Sequence, residues 1–166
     1  MTSSSPQSIS ARDLHEWLSS GSALQLVDVR EHSELEIASF PGQVEHLPLS
    51  ESNLWLSDLP ARLTTNKPIV VICHAGIRSR NFGCWLLEQG PDYDVWNLEG
   101  GIHAWSLEVE PSVPRYLAAV HDNVPNPREN LRTINELNVC LCSRCPADNR
   151  RCSRPRCITT LTRLSQ

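Results

Sequence analysis

No stretch of the chain approaches the roughly 18 consecutive apolar residues that a membrane-crossing helix needs. The Ser-rich start, Met1–Ser5, lacks the basic and then apolar regions of an export signal, so the expected compartment is the cytoplasm. No internal repeat is evident. Beyond Tyr116 the chain has no glycine and no phenylalanine, tyrosine or tryptophan, which leaves that part without the large apolar groups of a packed domain. Reducing conditions also argue against a disulfide framework, so the seven cysteines point instead to metal binding or thiol chemistry.

What is present divides at one place. Apolar residues make up 40% and charged residues 20% of 166, an ordinary globular mix that suits one domain and a tail rather than two full domains. Residues 1–116 carry 7 Lys+Arg against 15 Asp+Glu, net −8, while 117–166 carry 8 Arg against 4 acids, net +4; together these give the −4 of the whole chain. All five tryptophans lie before the divide, and five of the seven cysteines lie after it. We read a flexible start at 1–6, a globular body at 7–116 and an Arg/Cys-rich extension at 117–166.

Within the body, short apolar runs alternate with helical patterns, the signature of an α/β domain with a mainly parallel sheet. Ser10 and Asp13 form a capping pattern ahead of the stripe Leu14, Trp17, Leu18, and Gly21 stops that helix. Strands are expected at Leu24–Val29, Val44–Leu47, Ile69–Cys73 and Val95–Leu98, with helices near Glu31–Ile37, Glu51–Leu56, Ser79–Gln89 and Ile102–Leu107. The unbroken β-branched run Ile69–Ile72 marks a strand covered on both faces. Asp13, Glu16, Glu31, Glu34 and Glu36 read as solvated helix faces; Trp17, Trp85, Trp105 and Cys84 read as core.

The loop Cys73-His74-Ala75-Gly76-Ile77-Arg78-Ser79 joins that buried strand to a helix, at the carboxyl edge where open parallel sheets place ligands. A turn this short, with a glycine free to take positive φ, can curl its N–H groups into an anion-binding nest, and the helix adds its positive end. Several donors are needed. Ionising a thiol of ordinary pKa, about 8.5, at neutral pH takes about 2.7 kcal/mol, and a helix terminus contributes about 0.3–1, at best about 2. Arg78 and the loop amides are the expected source of the rest, with His74 adding charge near or below neutral pH. Asp28 and Arg30, at a strand end beside the cleft, are expected to brace the site or form an ion pair. His46 and His103 read as surface or helix-start residues rather than general bases.

These pieces occur in a familiar order. Leu26-Val27-Asp28-Val29-Arg30-Glu31, Phe40-Pro41-Gly42, His46-Leu47-Pro48-Leu49, Cys73–Ser79 and Glu99-Gly100-Gly101-Ile102 with Ala104-Trp105 make residues 7–116 resemble a single-domain rhodanese, a sulfurtransferase. The resemblance implies a five-stranded, mainly parallel sheet flanked by helices, Cys73 as the persulfide carrier, and donor contacts from His74, Ala75, Gly76, Ile77, Arg78 and Ser79. It implies a small anionic donor such as thiosulfate, a thiol or cyanide acceptor, and no metal or organic cofactor. The alternative of a non-turnover sulfur-relay or protein-docking module stays open, with the extension as the contact segment. Phosphatases of this fold carry one more loop residue, up to ~3.3 Å of contour, so the six-residue span Cys73–Arg78 argues against phosphatase or arsenate reductase activity.

The extension departs from that family. Cys142-x2-Cys145 and Cys152-x4-Cys157, with Cys140 as an alternate, are conceivable zinc ligands, but their separation is short and neither histidine nor glycine assists. A capped helix is readable from Asn126 through Pro127 and Glu129 to Leu131, Ile134 and Leu141. A disordered tail is the favoured reading, and basic charge without interleaved aromatics is only weak evidence for nucleic acid.

Overall fold

A computed structural model describes residues 5–89 and 93–117. The expected extension helix, the candidate metal cysteines and the Gly90-Pro91 helix stop lie outside these residues. The described chain folds as β1 (Gln7–Ile9), α1 (Ala11–Ser19), β2 (Gln25–Asp28), α2 (His32–Ile37), β3 (Glu45–His46), α3 (Ser52–Trp55), α4 (Leu59–Arg62), β4 (Ile69–Ile72), α5 (Ile77–Gln89), β5 (Val95–Leu98) and α6 (Gly101–Glu108). The strands form one parallel sheet in the order β1-β5-β4-β2-β3. The five-stranded parallel sheet flanked by helices is therefore as expected.

Side chains alternate across a strand, so β4 feeds two cores. Ile69, Val71 and Cys73 join Val27, Leu47, Leu59, Phe82 and Leu86 on one face. Val70 and Ile72 join Leu14, Leu26, Leu98, Ile102 and Trp105 on the other. Every residue of β4 is at 0% exposure, which is why the run reads as continuously apolar. Cys73 is thus delivered by strand register to the α5 face, at the carboxyl end of the central strand.

Local rules set most helix starts. Ser10 caps α1, its hydroxyl accepting from the Asp13 N–H at 3.1 Å. Glu31 and Glu34 form a reciprocal capping box on α2, with the Glu31 N–H donating to Glu34 Oε2 at 3.0 Å.

Several boundaries differ from the sequence expectation. β1 was not read at all, since three residues with only Ile9 buried carry no usable period. The expected strand at Val44–Leu47 shortens to two residues, and the expected helix at Glu51–Leu56 becomes a chain of short helical turns, Leu49–Arg62, re-started at Pro60. Helix α5 begins two residues earlier than expected, at Ile77. Cys84, expected in the core, is half-buried.

Candidate active site

Two turns meet at the carboxyl edge of the sheet. Gly76, at φ +87°, folds the chain after β4 back over the strand end. Its N–H donates to Cys73 Sγ at 3.1 Å, and the buried Ser79 hydroxyl lies 3.2 Å from the same sulfur. The first i→i−4 bond of α5 runs from the Arg80 N–H to the Gly76 carbonyl, so the N–H groups of Ile77, Arg78 and Ser79 have no intrahelical acceptor. Cys73 is 1% exposed. One side of the thiol rests on the apolar α5 face, but the other receives polar hydrogens, so it is not sealed in hydrocarbon.

The second turn, Glu99-Gly100-Gly101, opens α6 and acts on the first. The Ile102 N–H donates to the Cys73 carbonyl at 2.9 Å and the His103 N–H to the His74 carbonyl at 3.1 Å. Both carbonyls are thereby held toward the positive start of α6 instead of toward the sulfur. Gly101 is required here: a Cβ would overlap the Cys73 carbonyl oxygen and come within 2.5 Å of that of His74.

Arg78 does not stand free. Its two terminal nitrogens bond both carboxylate oxygens of Glu34 at 2.6 Å, a bidentate pair. Its charge reaches the thiol only together with the opposite charge of Glu34. Burial alone raises the Glu34 pKa, but Arg78 and the Glu31 N–H outweigh it and hold it down to about 2. Burial lowers the Arg78 pKa, and the Glu34 partner more than restores it, so the net shift is upward. Glu34 corrects the sequence reading: it belongs to no solvated face but is 2% exposed.

Asp28 and Arg30 are a fully buried ion pair at 2.7 Å. Arg30 also donates to the Ala38 carbonyl at 2.9 Å and to Tyr116 Oη at 3.1 Å, and Tyr116 Oη donates to Glu34 at 3.0 Å. One chain of polar contacts therefore runs from Asp28 through Arg30, Tyr116 and Glu34 to Arg78. Burial, with Glu34 close by, pushes the Tyr116 phenol up to about 12 against the opposing effect of Arg30. The Tyr116 ring lies 4.4 Å from that of His74, whose Nε2 donates to the Tyr116 carbonyl at 3.0 Å. Burial lowers the His74 pKa against the opposing effects of the Tyr116 carbonyl and Glu34, which works against its serving as a source of charge.

Of the sequence-predicted residues, Cys73, Gly76 and Ser79 converge on the sulfur, while Ala75 and Ile77 are exposed at the mouth. His46 is partly buried, with Nε2 at 2.7 Å from the Arg30 carbonyl, and His103 is exposed. Sequence reasoning missed Glu34, Tyr116 and Asn97, whose Oδ1 lies 2.6 Å from Ser79 Oγ. Among the described residues, no group of three or more His, Cys, Asp or Glu could hold a metal ion, and no helix is long and apolar enough to cross a membrane.

A family model described as "Rhodanese-like domain" matches residues 10–108. The chain is 45% identical over 92 residues to the rhodanese-like/PpiC domain-containing protein 12, chloroplastic, of Arabidopsis thaliana, covering 55% of this chain and 30% of that protein. It is 32% identical over 115 residues to the adenylyltransferase and sulfurtransferase MOCS3 of Drosophila willistoni, covering 68% of this chain and 25% of that protein. The chain thus spans under a third of the length of these two relatives. A crystal structure of a rhodanese-related protein from Thermoplasma volcanium matches with a TM-score of 0.51 at 32% identity, over 63% of this chain and 95% of that one.

Proposed function

Because the chain belongs to the rhodanese-like domain family, we propose that it is a sulfurtransferase whose Cys73 carries sulfane sulfur from thiosulfate or a similar donor to a thiophilic acceptor. The Cys73 thiolate attacks the outer sulfur of thiosulfate, the sulfur–sulfur bond of the donor breaks, and sulfite leaves with the bonding electrons. Cys73 then holds a persulfide anion. Cyanide or a thiolate attacks its outer sulfur, the Cys73–sulfur bond breaks, and the thiolate returns, a double displacement with ping-pong kinetics.

The observation that carries this reading is the direction of the polar groups around the sulfur. Gly76 N–H and the Ser79 hydroxyl reach Cys73 Sγ, while the Cys73 and His74 carbonyls are engaged by α6. Preorganised donors of this kind favour charge on the sulfur and on the atom bonded to it. An apolar core cysteine has no use for them. With Arg78 paired to Glu34, attraction of an anionic donor falls to the loop amides and the start of α5 rather than to a free guanidinium.

The test is intact-mass measurement after thiosulfate treatment, joined to an assay of thiocyanate formation from thiosulfate and cyanide. The expected result is a gain of one sulfur atom mapped to Cys73, with turnover, and loss of both in Cys73→Ser. Sulfur loading without turnover favours the relay module, and loading at any other cysteine overturns the assignment. Hydrolysis of aryl phosphates without sulfur transfer would return the phosphatase reading.

A further inference from the structure

We propose that Asn97 is a positioning residue that decides where the single hydroxyl proton of Ser79 points, and thereby sets how readily the Cys73 sulfur carries negative charge. The proposal rests on the reading of Cys73 as the sulfur carrier. Asn97 sits on β5, beside β4 in the sheet, and is 6% exposed; Ser79, on the first turn of α5, is at 0%. Ser79 Oγ lies 2.6 Å from Asn97 Oδ1 and 3.2 Å from Cys73 Sγ. A hydroxyl has one proton to donate, so it cannot serve both neighbours at once.

Two arrangements satisfy this buried triplet, one for each charge state of the sulfur. With a thiol, the Cys73 S–H donates to Ser79 Oγ and the Ser79 O–H donates to Asn97 Oδ1. When the thiol proton leaves to water, the Ser79 O–H turns to the sulfur anion. Oδ1 and Oγ, 2.6 Å apart, would then face each other with no hydrogen between them, a costly contact between two buried acceptors. Half a turn of the carboxamide removes it: Nδ2 now donates to Ser79 Oγ while the Ser79 O–H stays on the sulfur. The other end of the amide faces Gly76, where even an added Cβ would stand 3.7 Å from Nδ2, so the neighbouring loop leaves room. Asparagine alone among residues of this size offers an acceptor at one end and a donor at the other. Aspartate can only accept, and leucine can do neither.

The two replacements therefore act in opposite directions. In Asn97→Asp the carboxylate keeps the Ser79 proton, and the sulfur anion loses a donor. In Asn97→Leu the sulfur is the one acceptor left to Ser79. The experiment is the rate of Cys73 alkylation by iodoacetamide in the full chain, mapped by peptide mass, as a function of pH. Asn97→Asp is expected to react about tenfold or more slowly at pH 7 and to recover as pH rises, the size expected from losing a hydrogen bond to a charged group. Asn97→Leu is expected to react at the wild-type rate or faster, and Ser79→Ala to be slowed like Asn97→Asp.

Arg78 and His74 on the loop, Glu34 on α2, His103 on α6 and Tyr116 are unchanged in all these variants, while Asn97→Asp adds a negative charge that by itself disfavours the sulfur anion; the uncharged pair Asn97→Leu and Ser79→Ala therefore reports on the Ser79 proton. A packing role for Asn97 predicts instead that Asp and Leu impair alike with the pH profile in place, and that outcome overturns the proposal. Should Asn97→Asp fail to fold, the contrast of Asn97→Leu with Ser79→Ala carries the same decision. Coincident profiles in proteins that still load sulfur at Cys73 sink the role of Asn97 alone, whereas failure of wild-type Cys73 to load sinks the functional reading.

Discussion

The two glycine turns at the carboxyl edge of the sheet look alike in sequence and act in opposite ways. The turn after β4 aims a peptide hydrogen and a hydroxyl at a sulfur atom. The turn after β5 aims its peptide hydrogens at the carbonyl oxygens of the first turn. A short loop cannot present all its N–H groups inward unless its oxygens are taken up elsewhere, so an anion cradle needs a second element to hold its acceptors away. The comparison assigns Gly101 to holding the cradle and Gly76 to being the cradle.

Substitutions can break that division. Gly101→Ala should have the largest effect, since its Cβ would overlap backbone oxygen that cannot move aside. The expected outcome is a loss above about 4 kcal/mol in urea unfolding, or no folded protein. Glu34→Gln tests what holds the outer end of the first turn, through Arg78, and should cost about 3 kcal/mol at neutral pH. Its pH dependence has a definite sign. Glu34 binds protons more weakly folded, with a pKa of about 2, than unfolded at 4.5; its contribution is therefore complete above about pH 4.5 and lost as pH falls toward 2. The wild-type and Glu34→Gln stabilities should converge over that interval in an acid titration followed by circular dichroism.

Gly76→Ala should be the mildest. Its Cβ would stand 3.1 Å from Gly100 N and Leu98 O, tight but not overlapping, so the expected cost is about 2 kcal/mol for the strained φ and the crowding. The protein should fold and load sulfur slowly. Equal stability losses in the two glycine variants would erase the distinction between holder and cradle.

What could be read from the chain followed from local rules. Ser10 with Asp13 and the β-branched run Ile69–Ile72 each announce their structure within a few residues and lie where expected; the turn after Cys73 was legible from Gly76, but α5 starts inside the expected loop, at Ile77. Contacts between distant residues were not legible. Glu34 has the spacing of a solvated acid, and only the fold brings Arg78, 44 positions later, into its carboxylate. Asn97 is unremarkable in the strand Val95–Leu98 until β5 is paired beside β4. Tyr116 read merely as the last residue of the body, yet its phenol joins the Arg30 and Glu34 side chains. The one signal available was a lone aromatic following a proline-rich stretch, which no period distinguishes from a linker.

Tyr116 also bears on where such a unit can be cut. The family match ends at residue 108, but the strap that follows returns to the body, with Ser106 Oγ donating to the Val113 carbonyl at 2.6 Å and Val113 buried against the α6 side. A graft or fusion that spliced foreign sequence in at the family boundary would strip Arg30 and Glu34 of their shared phenol and leave the His74 ring bare. For anyone transplanting this module, the working seam lies downstream of Tyr116.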